Sequence, residues 1–299
     1  RNDTGKRKVQ LYNEAMRDWK TRWQLQDSSI VPTPYDIIAS ATGDYSEYTS
    51  VRKTNKGLIA YKTDPDETGR IIFVKDDKTL IDAPVRTEND IASNGTLIAW
   101  CEMHQHPRWN NASESPLYIS DLKGNKKRLL RHGRFSAPSF SADGSHIAAV
   151  EVMDDGTHTI VRIDLNGEIE HRTQLAEGIE AAYTAWIGDD IAFIALTNSG
   201  KAILTESGKQ LTPYRFRNIR HLTTDGKNLY FTSDETGIDN IYVMTPDGTE
   251  SRITSARFGA AWPCIDGTTL YYSDYSAKGY AVSQSGLGCI LYGKSFCTY

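Results

Sequence analysis

Cysteine, long apolar runs and a strong charge of either sign are all scarce in this sequence. The four cysteines form no Cys-x-x-Cys pair, so neither a zinc site nor a thioredoxin-type motif is expected. No stretch approaches the roughly 18 apolar residues of a membrane-spanning helix, so none is predicted. A net charge of -4 gives no overall bias toward nucleic acid or a membrane surface, and no nucleic-acid partner is expected.

The cysteines fall into two groups. Cys101 and Cys264 stand far apart in apolar segments, which favours small, buried strand residues. Cys289 and Cys297 could pair across a hairpin in an oxidising compartment, and the sequence leaves that question open.

Proline and methionine are also scarce, whereas tyrosine and glycine are abundant. The chain has 10 Pro and 4 Met against 16 Tyr and 23 Gly, a balance that favours strands and turns over helices. Its 299 residues would suit two average domains, but one all-β domain can also reach this size.

The first organised segment is a helix predicted over residues 6–26. Four large side chains recur at i, i+4, i+7 and i+11 and therefore share one face: Tyr12, Met16, Trp19 and Trp23. Because an isolated helix would expose both tryptophans, we expect it to dock on the body of the protein. A partner-binding or membrane-surface helix is the alternative.

The chain repeats itself after Pro32 and Pro34, which end the helical pattern. A short strand motif recurs at residues 58–61, 97–100, 146–149, 190–193, 228–231 and 269–272. Its second residue advances by 39, 49, 44, 38 and 41 positions, so six copies are present. Most copies follow a tight turn such as Asn94-Gly95 or Asp225-Gly226, which supplies the positive φ of two-residue hairpins.

Each copy predicts four short antiparallel strands, most clearly between Arg220 and Thr254. Four such strands in about 40 residues are typical of a propeller blade, and blades bury their faces by stacking in a ring. The predicted fold is therefore all-β, a six-bladed β-propeller with an N-terminal amphipathic helix. We assign residues 1–34 to the helix and its linker and residues 35–299 to the propeller. The segment 36–39 is the predicted strand that completes the last blade.

These copies resemble the β-propeller repeat of TolB. The resemblance is carried by residues 141–144 (Ser-Ala-Asp-Gly) before Ile147-Ala148, and by the run from Thr232 to Met244. It covers roughly residues 45 to 284, and the same repeat is found in the tricorn protease and in prolyl-oligopeptidase-type peptidases. The resemblance implies a TolB-like propeller and a setting in the bacterial periplasm or cell envelope.

Of two motifs that would indicate an enzyme, one is absent and the other lacks the structural context that it needs. A prolyl-oligopeptidase needs a nucleophilic serine in Gly-x-Ser-x-Gly, and the sequence contains no such motif. Residues 288–295 match the phosphate-loop pattern Gly-x-x-x-x-Gly-Lys-Ser, but only four residues follow, too few for the helix that the motif requires. We expect a chance match.

Metal-ligand patterns are weak. His104 and His106 would face the same way on a strand and could share a metal, but an exposed connecting loop is the favoured interpretation. Asp64, Asp66 and Glu67 offer oxygen ligands without the EF-hand spacing, as a solvated hairpin tip would. No metal and no other cofactor is predicted.

Basic and aromatic residues in the connections between blades form the best candidate site. These connections should gather at one mouth of the central channel, where guanidinium groups would suit carboxylates or a peptide terminus. Aromatic neighbours are common in binding surfaces, although solvated loop side chains are the alternative. The candidate ligand-binding residues are Arg134, Arg217, Arg220, His221, Arg257 and Trp262.

The leading hypothesis is a non-enzymatic, monomeric propeller that binds a protein or peptide at its channel mouth. Membrane association is expected only through a partner or through segments outside this sequence. One alternative is a non-catalytic gating propeller of a larger peptidase. The other is a metal-dependent propeller lyase or lactonase.

Overall fold

One helix and a ring of short antiparallel strands make up a computed structural model, which describes residues 5–82, 91–109 and 112–287. Cys289, Cys297 and the phosphate-loop pattern at 288–295 lie outside these residues. The helix α1 is Lys8–Ser29 and the first strand β1 is Asp36–Ala39.

The other strands form the six sheets of the predicted blades and a separate two-stranded sheet, the side hairpin of blade 2. Blade 1 contains β2 (Glu47–Thr54), β3 (Gly57–Asp64), β4 (Glu67–Phe73) and β5 (Lys78–Ile81). Blade 2 contains β6 (Ala92–Ser93), β7 (Leu97–Cys101), β10 (Leu117–Asp121) and β11 (Lys126–Leu130), with a side hairpin of β8 (His104–Gln105) and β9 (Ser113–Glu114). Blade 3 contains β12 (Phe135–Phe140), β13 (His146–Val152), β14 (His158–Asp164) and β15 (Ile169–Gln174). Blade 4 contains β16 (Glu180–Ile187), β17 (Asp190–Thr197) and β18 (Gly200–Thr205). Blade 5 contains β19 (Ile219–Thr224), β20 (Leu229–Ser233), β21 (Asn240–Met244) and β22 (Glu250–Arg252). Blade 6 contains β23 (Ala260–Asp266), β24 (Thr269–Ser276) and β25 (Gly279–Gly286). In blade 4, isolated bridges at Gln210 and Arg215 hold the position of a fourth strand.

The strand β1 closes the ring, as predicted. It pairs antiparallel with β25, with Asp36 opposite Gln284 and Ile37 opposite Ser283, and so becomes the outermost strand of blade 6. Blade 6 then meets blade 1, where the backbone N–H of Ser46 donates to the carbonyl of Lys278 at 3.0 Å. The six-bladed propeller with its N-terminal helix is confirmed.

The core consists of six apolar clusters, one between each pair of neighbouring blades. Val282 of blade 6 packs with Val51 and Ile72 of blade 1, so the ring is also closed by apolar contact. Cys101 and Cys264 are buried strand residues, as predicted. Each blade therefore depends on its neighbours for burial of its apolar faces.

The helix differs from its expected arrangement. None of its residues is buried, and Trp19 and Trp23 remain 51% and 55% exposed. Its ties to the propeller are polar: Asp27 pairs with Arg257 at 2.7 Å, and the hydroxyl of Thr33 accepts from the N–H of Ser255 at 2.8 Å. The expected docking was wrong because the blades already bury their apolar faces against one another. No helix among the described residues is both long and apolar enough to cross a membrane.

Gly279 begins β25 beside the contact between blades 6 and 1. Its φ is +95°, and a Cβ atom there would lie 2.1 Å from the backbone oxygen of Ser46. We expect Gly279→Ala to lower the Tm by roughly 5–10 °C, because it adds a backbone clash to left-handed strain. Gly208→Ala, also at positive φ but with nothing within 4 Å, is the control and should cost much less. Equal Tm values for the two variants in a thermal melt would contradict the proposed closure.

Asp274 of β24 makes the same region sensitive to pH. Burial raises the pKa of Asp274 to about 6, and hydrogen bonding by Tyr35, just before β1, offsets only part of the shift. The folded chain thus holds this proton more tightly than the unfolded chain, so the free energy of unfolding falls as pH rises from about 4 to 6. We expect Asp274→Asn to raise the free energy of unfolding by about 1–2 kcal/mol at pH 7.5 and to leave it almost unchanged at pH 4. Thermal melts at the two pH values check this, with the exposed Asp154→Asn as a control.

Candidate functional site

The two ends of the ring carry different loops because the strands alternate in direction. We call one end the upper face: it carries the connections between blades, such as 253–259, and the turns between second and third strands, such as 153–157. The lower face carries the remaining turns, including Asp143-Gly144 and Asp225-Gly226. All the candidate ligand-binding residues lie in upper-face connections or in the innermost strands that follow them.

The lower face is built from turns that satisfy their own polar atoms. The carboxylate of Asp143 accepts from the hydroxyls of Ser141 and Ser145, each at 2.6 Å. These hydrogen bonds hold the pKa of Asp143 well below its usual range. Asp225 likewise accepts from the backbone N–H groups of Lys227 and Asn228. The turn carboxylates are therefore structural, as expected of Asx-type turns.

A β-bulge recurs in five of the six innermost strands of the described chain. In each strand the register shifts at a non-glycine residue of positive φ: Ser50 (52°), Ala137 (53°), Tyr183 (51°), His221 (53°) and Trp262 (51°). Such conformations cost about 1–3 kcal/mol each and persist only where the surrounding structure imposes them. Bulges re-aim side chains, and here they do so around the central channel.

The bulges bring a row of aromatic rings together across blades 4, 5 and 6. The ring of His221 stacks on Trp262 with centroids 4.2 Å apart and meets Tyr183 edge-on at 5.5 Å. Trp262 contacts Tyr280 at 5.2 Å, and Tyr280 contacts Tyr275 at 4.8 Å. We call these five residues the aromatic row. It runs from the innermost strands out to the turn between β24 and β25.

Three of the six candidate residues lie together in this region. His221 and Trp262 belong to the aromatic row, and Arg220 precedes His221 on β19. The guanidinium of Arg220 pairs with the carboxylate of Asp239, which lies close enough to Tyr280 to help raise the pKa of that hydroxyl, although burial is the larger cause. The mouth therefore offers both a cation and an anion beside aromatic surface.

Arg217 is held away from this group by carboxylates. Its side chain is only 4% exposed, and its guanidinium bonds both oxygens of Glu250, at 2.6 and 2.8 Å, and also Glu235 at 2.6 Å. The guanidinium lies 5.7 Å from the ring centre of Phe231, within the cluster between blades 4 and 5. This arrangement is that of a structural ion pair, with no open face for a ligand.

The other two arginines also have partners within the chain. Arg134 donates to the backbone carbonyls of Val152 and Met153, and so braces the turn after β13. Arg257 binds Asp27 of the helix. The structure therefore separates the six predicted residues into one group of three and three single sites.

The metal-ligand patterns have local partners too. The imidazole of His104 lies 3.3 Å from the hydroxyl of Tyr118, whereas His106 accepts from the N–H of Arg108. Asp64 and Glu67 both pair with Arg70. Among the described residues no three His, Cys, Asp or Glu side chains are grouped as a metal site would require.

Exposed apolar side chains mark the upper face. Beyond residue 38, every large apolar side chain that is exposed in the described chain lies on this face: Met103, Trp109, Met153, Leu196, Phe216, Phe258 and Tyr275. We call these seven residues the apolar rim. Phe216 is 89% exposed and Trp109 63% exposed. Phe216 and Phe258 stand out in the sequence because they accompany the arginines; the others would need the turn positions to be known first.

Comparisons with solved structures show the fold. The propeller domain of the Trilobed protease from Pyrococcus furiosus matches with a TM-score of 0.53 at 12% identity, over 81% of this chain and 98% of that domain. TolB from Acinetobacter baumannii matches with a TM-score of 0.50 at 18% identity, over 81% of this chain and 64% of TolB. An oligogalacturonate lyase in complex with manganese gives 0.54 at 13%, over 83% and 78%. No family model and no curated protein matches the chain.

The predicted resemblance to TolB is thus confirmed at the level of the propeller fold. The same fold supports binding proteins, protease domains and a lyase, so function must be argued from the site.

Arg217 gives a direct test of a structural rather than a ligand-binding role. Arg217→Ala is expected to lower the Tm by about 6–10 °C, because it leaves the mostly buried carboxylate of Glu250 without its partner. Arg257→Ala removes an exposed pair and should change the Tm by no more than about 2 °C. Adding Glu250→Gln to Arg217→Ala should recover part of the loss. Small and equal Tm changes for both single variants would contradict this assignment.

Proposed function

We propose that the chain is a non-enzymatic binding scaffold that takes a protein or peptide on its upper face. The observation that carries the proposal is the apolar rim: seven large apolar side chains are held in water at one end of the ring. Burying such side chains against a partner releases free energy of about 25 cal/mol per Å² of apolar surface. Aromatic residues and methionine are also the residues that interfaces enrich.

The mouth inside the rim would supply specificity. Arg220 and Asp239 place a donor and an acceptor beside the aromatic row, where a peptide could exchange hydrogen bonds with them. The indole Nε1 of Trp262 is buried and makes no hydrogen bond to the described residues, so a ligand carbonyl that reached it would satisfy this donor.

The cavity found among the innermost strands is too small to enclose the ligand. This cavity, lined by residues such as Ser139, Thr184 and Thr223, has a volume of about 130 Å³. Pockets that enclose small ligands usually measure about 300–1,000 Å³. The partner would therefore rest on the upper face and insert no more than one side chain.

The cellular setting is proposed on the TolB resemblance alone. A bacterial periplasmic or envelope location is compatible with a monomeric scaffold, and the chain's slight acidity gives no attraction to nucleic acid.

The proposal predicts that peptides selected from a random library for binding to this chain will depend on the apolar rim for their affinity. Peptides from a random-peptide display library, panned on the intact chain and measured by calorimetry, should lose about tenfold or more in affinity on Phe216→Ser or Phe258→Ser. Ile37→Ser is the matched control, since Ile37 is also exposed (57%) but lies on the outer edge of blade 6. Selected peptides that bind both rim variants as tightly as the original chain would refute the upper-face site.

A further inference from the structure

The helix α1 presents an aromatic face that nothing in the described chain covers. Tyr12, Trp19 and Trp23 are each more than half exposed, and the rings of Trp19 and Trp23 lie 6.1 Å apart on the same side. A soluble helix that is held only at its end keeps such a face in water at a cost in free energy. The face is therefore a candidate contact surface separate from the apolar rim.

The charges of the helix are arranged around that face. Lys20 and Arg22 lie roughly 70° and 90° from its centre, one on each flank, given 100° per residue. The acidic residues Glu14 and Asp18 lie on the opposite side, roughly 130–170° away. Asp27 lies nearer the face, roughly 50° from its centre, but its carboxylate is paired with Arg257, and Arg17 lies on the far side. Lys20 and Arg22 therefore give the flanks of the aromatic face a positive charge.

The segment as a whole is basic in an acidic chain. Residues 6–29 contain six basic and three acidic side chains, whereas the complete chain has a net charge of -4. Two of the three acidic groups are already neutralised, Glu14 by Lys6 at 2.6 Å and Asp27 by Arg257 at 2.7 Å. The surface is therefore complementary to a negatively charged partner.

We infer that α1 binds the surface of a lipid bilayer that contains anionic headgroups. Tryptophan and tyrosine favour the boundary between headgroups and acyl chains, and flanking lysine and arginine can extend to lipid phosphates. The 22 residues of α1 would lie along the surface for about 33 Å. The flanking cations, rather than the aromatic residues, favour a bilayer over a helix-in-groove protein partner, because aromatic residues are also common in protein interfaces. This proposal differs from the expectation that the chain reaches a membrane only through a partner or through segments outside this sequence.

The test is co-sedimentation of the full chain with vesicles. We expect binding to vesicles of mixed phosphatidylglycerol and phosphatidylcholine, weaker binding in high salt, and little binding to phosphatidylcholine alone. Trp19→Ala with Trp23→Ala should reduce the partition coefficient about tenfold or more. The matched control is Thr21→Ala with Gln24→Ala on the opposite side of the helix, which should leave binding unchanged.

A second pair of variants tests the charge arrangement with one chemical change. Arg22→Gln beside the face should weaken vesicle binding about fivefold, whereas Arg17→Gln on the far side should weaken it much less. Because no residue of α1 is buried, all these variants should keep the Tm of the propeller.

Three outcomes would overturn the assignment. These are no binding to anionic vesicles, equal losses for Arg22→Gln and Arg17→Gln, and a concentration-dependent dimer in analytical ultracentrifugation that Trp19→Ala with Trp23→Ala abolishes. The last would mean that a second copy covers the face. Phe216→Ser should not affect vesicle binding, so failure of the upper-face proposal and failure of this one remain distinguishable.

Discussion

The pairing of β1 with β25 is the interaction on which the structure depends. It brings residues 36–39 beside residues 282–284, near the two ends of the described chain. Each blade buries its apolar faces only against its neighbours, so an open ring would leave the faces of blades 1 and 6 in water. Forming such a long-range contact costs conformational entropy, and burial of the sixth inter-blade cluster offsets that cost. The clash expected for Gly279→Ala and the raised pKa of Asp274 both lie at or beside this closure, so both test it.

Closure also explains how strained residues can persist at the mouth. Tyr183, His221 and Trp262 occupy backbone conformations that their side chains disfavour, each in an innermost strand. A free hairpin would relax, but here every bulged strand is paired with a second strand and flanked by two blades. The strained backbone conformations therefore place three rings from three blades within contact distance of one another. In the proposed binding role, a surface formed in this way would be rigid before any ligand arrives, which would reduce the entropy lost on binding.

The sequence predicts the features that rest on local chemistry. Turns such as Asp225-Gly226 and the strand motif after them are specified by a few adjacent residues, so six blades and the closing strand could be predicted. The bulges could not, because nothing in the residue types Ala137, Tyr183 or Trp262 favours positive φ. The role of Arg217 depends on Glu250, which is 33 positions away in sequence, so composition alone suggests a ligand-binding cation where the fold places an ion pair. The helix shows the same limit: its amphipathic pattern is real, but the pattern does not reveal whether the body has a groove left to receive it.

The two faces differ in how far their side chains are satisfied within the protein, by hydrogen bonds on the lower face and by apolar burial on the upper face. On the lower face, side chains such as Asp143 satisfy their own turns, so a ligand would have to break existing hydrogen bonds in order to make new ones. On the upper face, the side chains of Phe216 and Phe258 are 89% and 54% exposed, and water is a poor neighbour for that carbon surface. This contrast is why we propose the upper face as the binding face, even though the two faces are built from the same repeated strands. The arginines that first drew attention to this end contribute mainly by bracing its loops. In the proposed function, a partner contacts the apolar side chains that those loops hold in solvent.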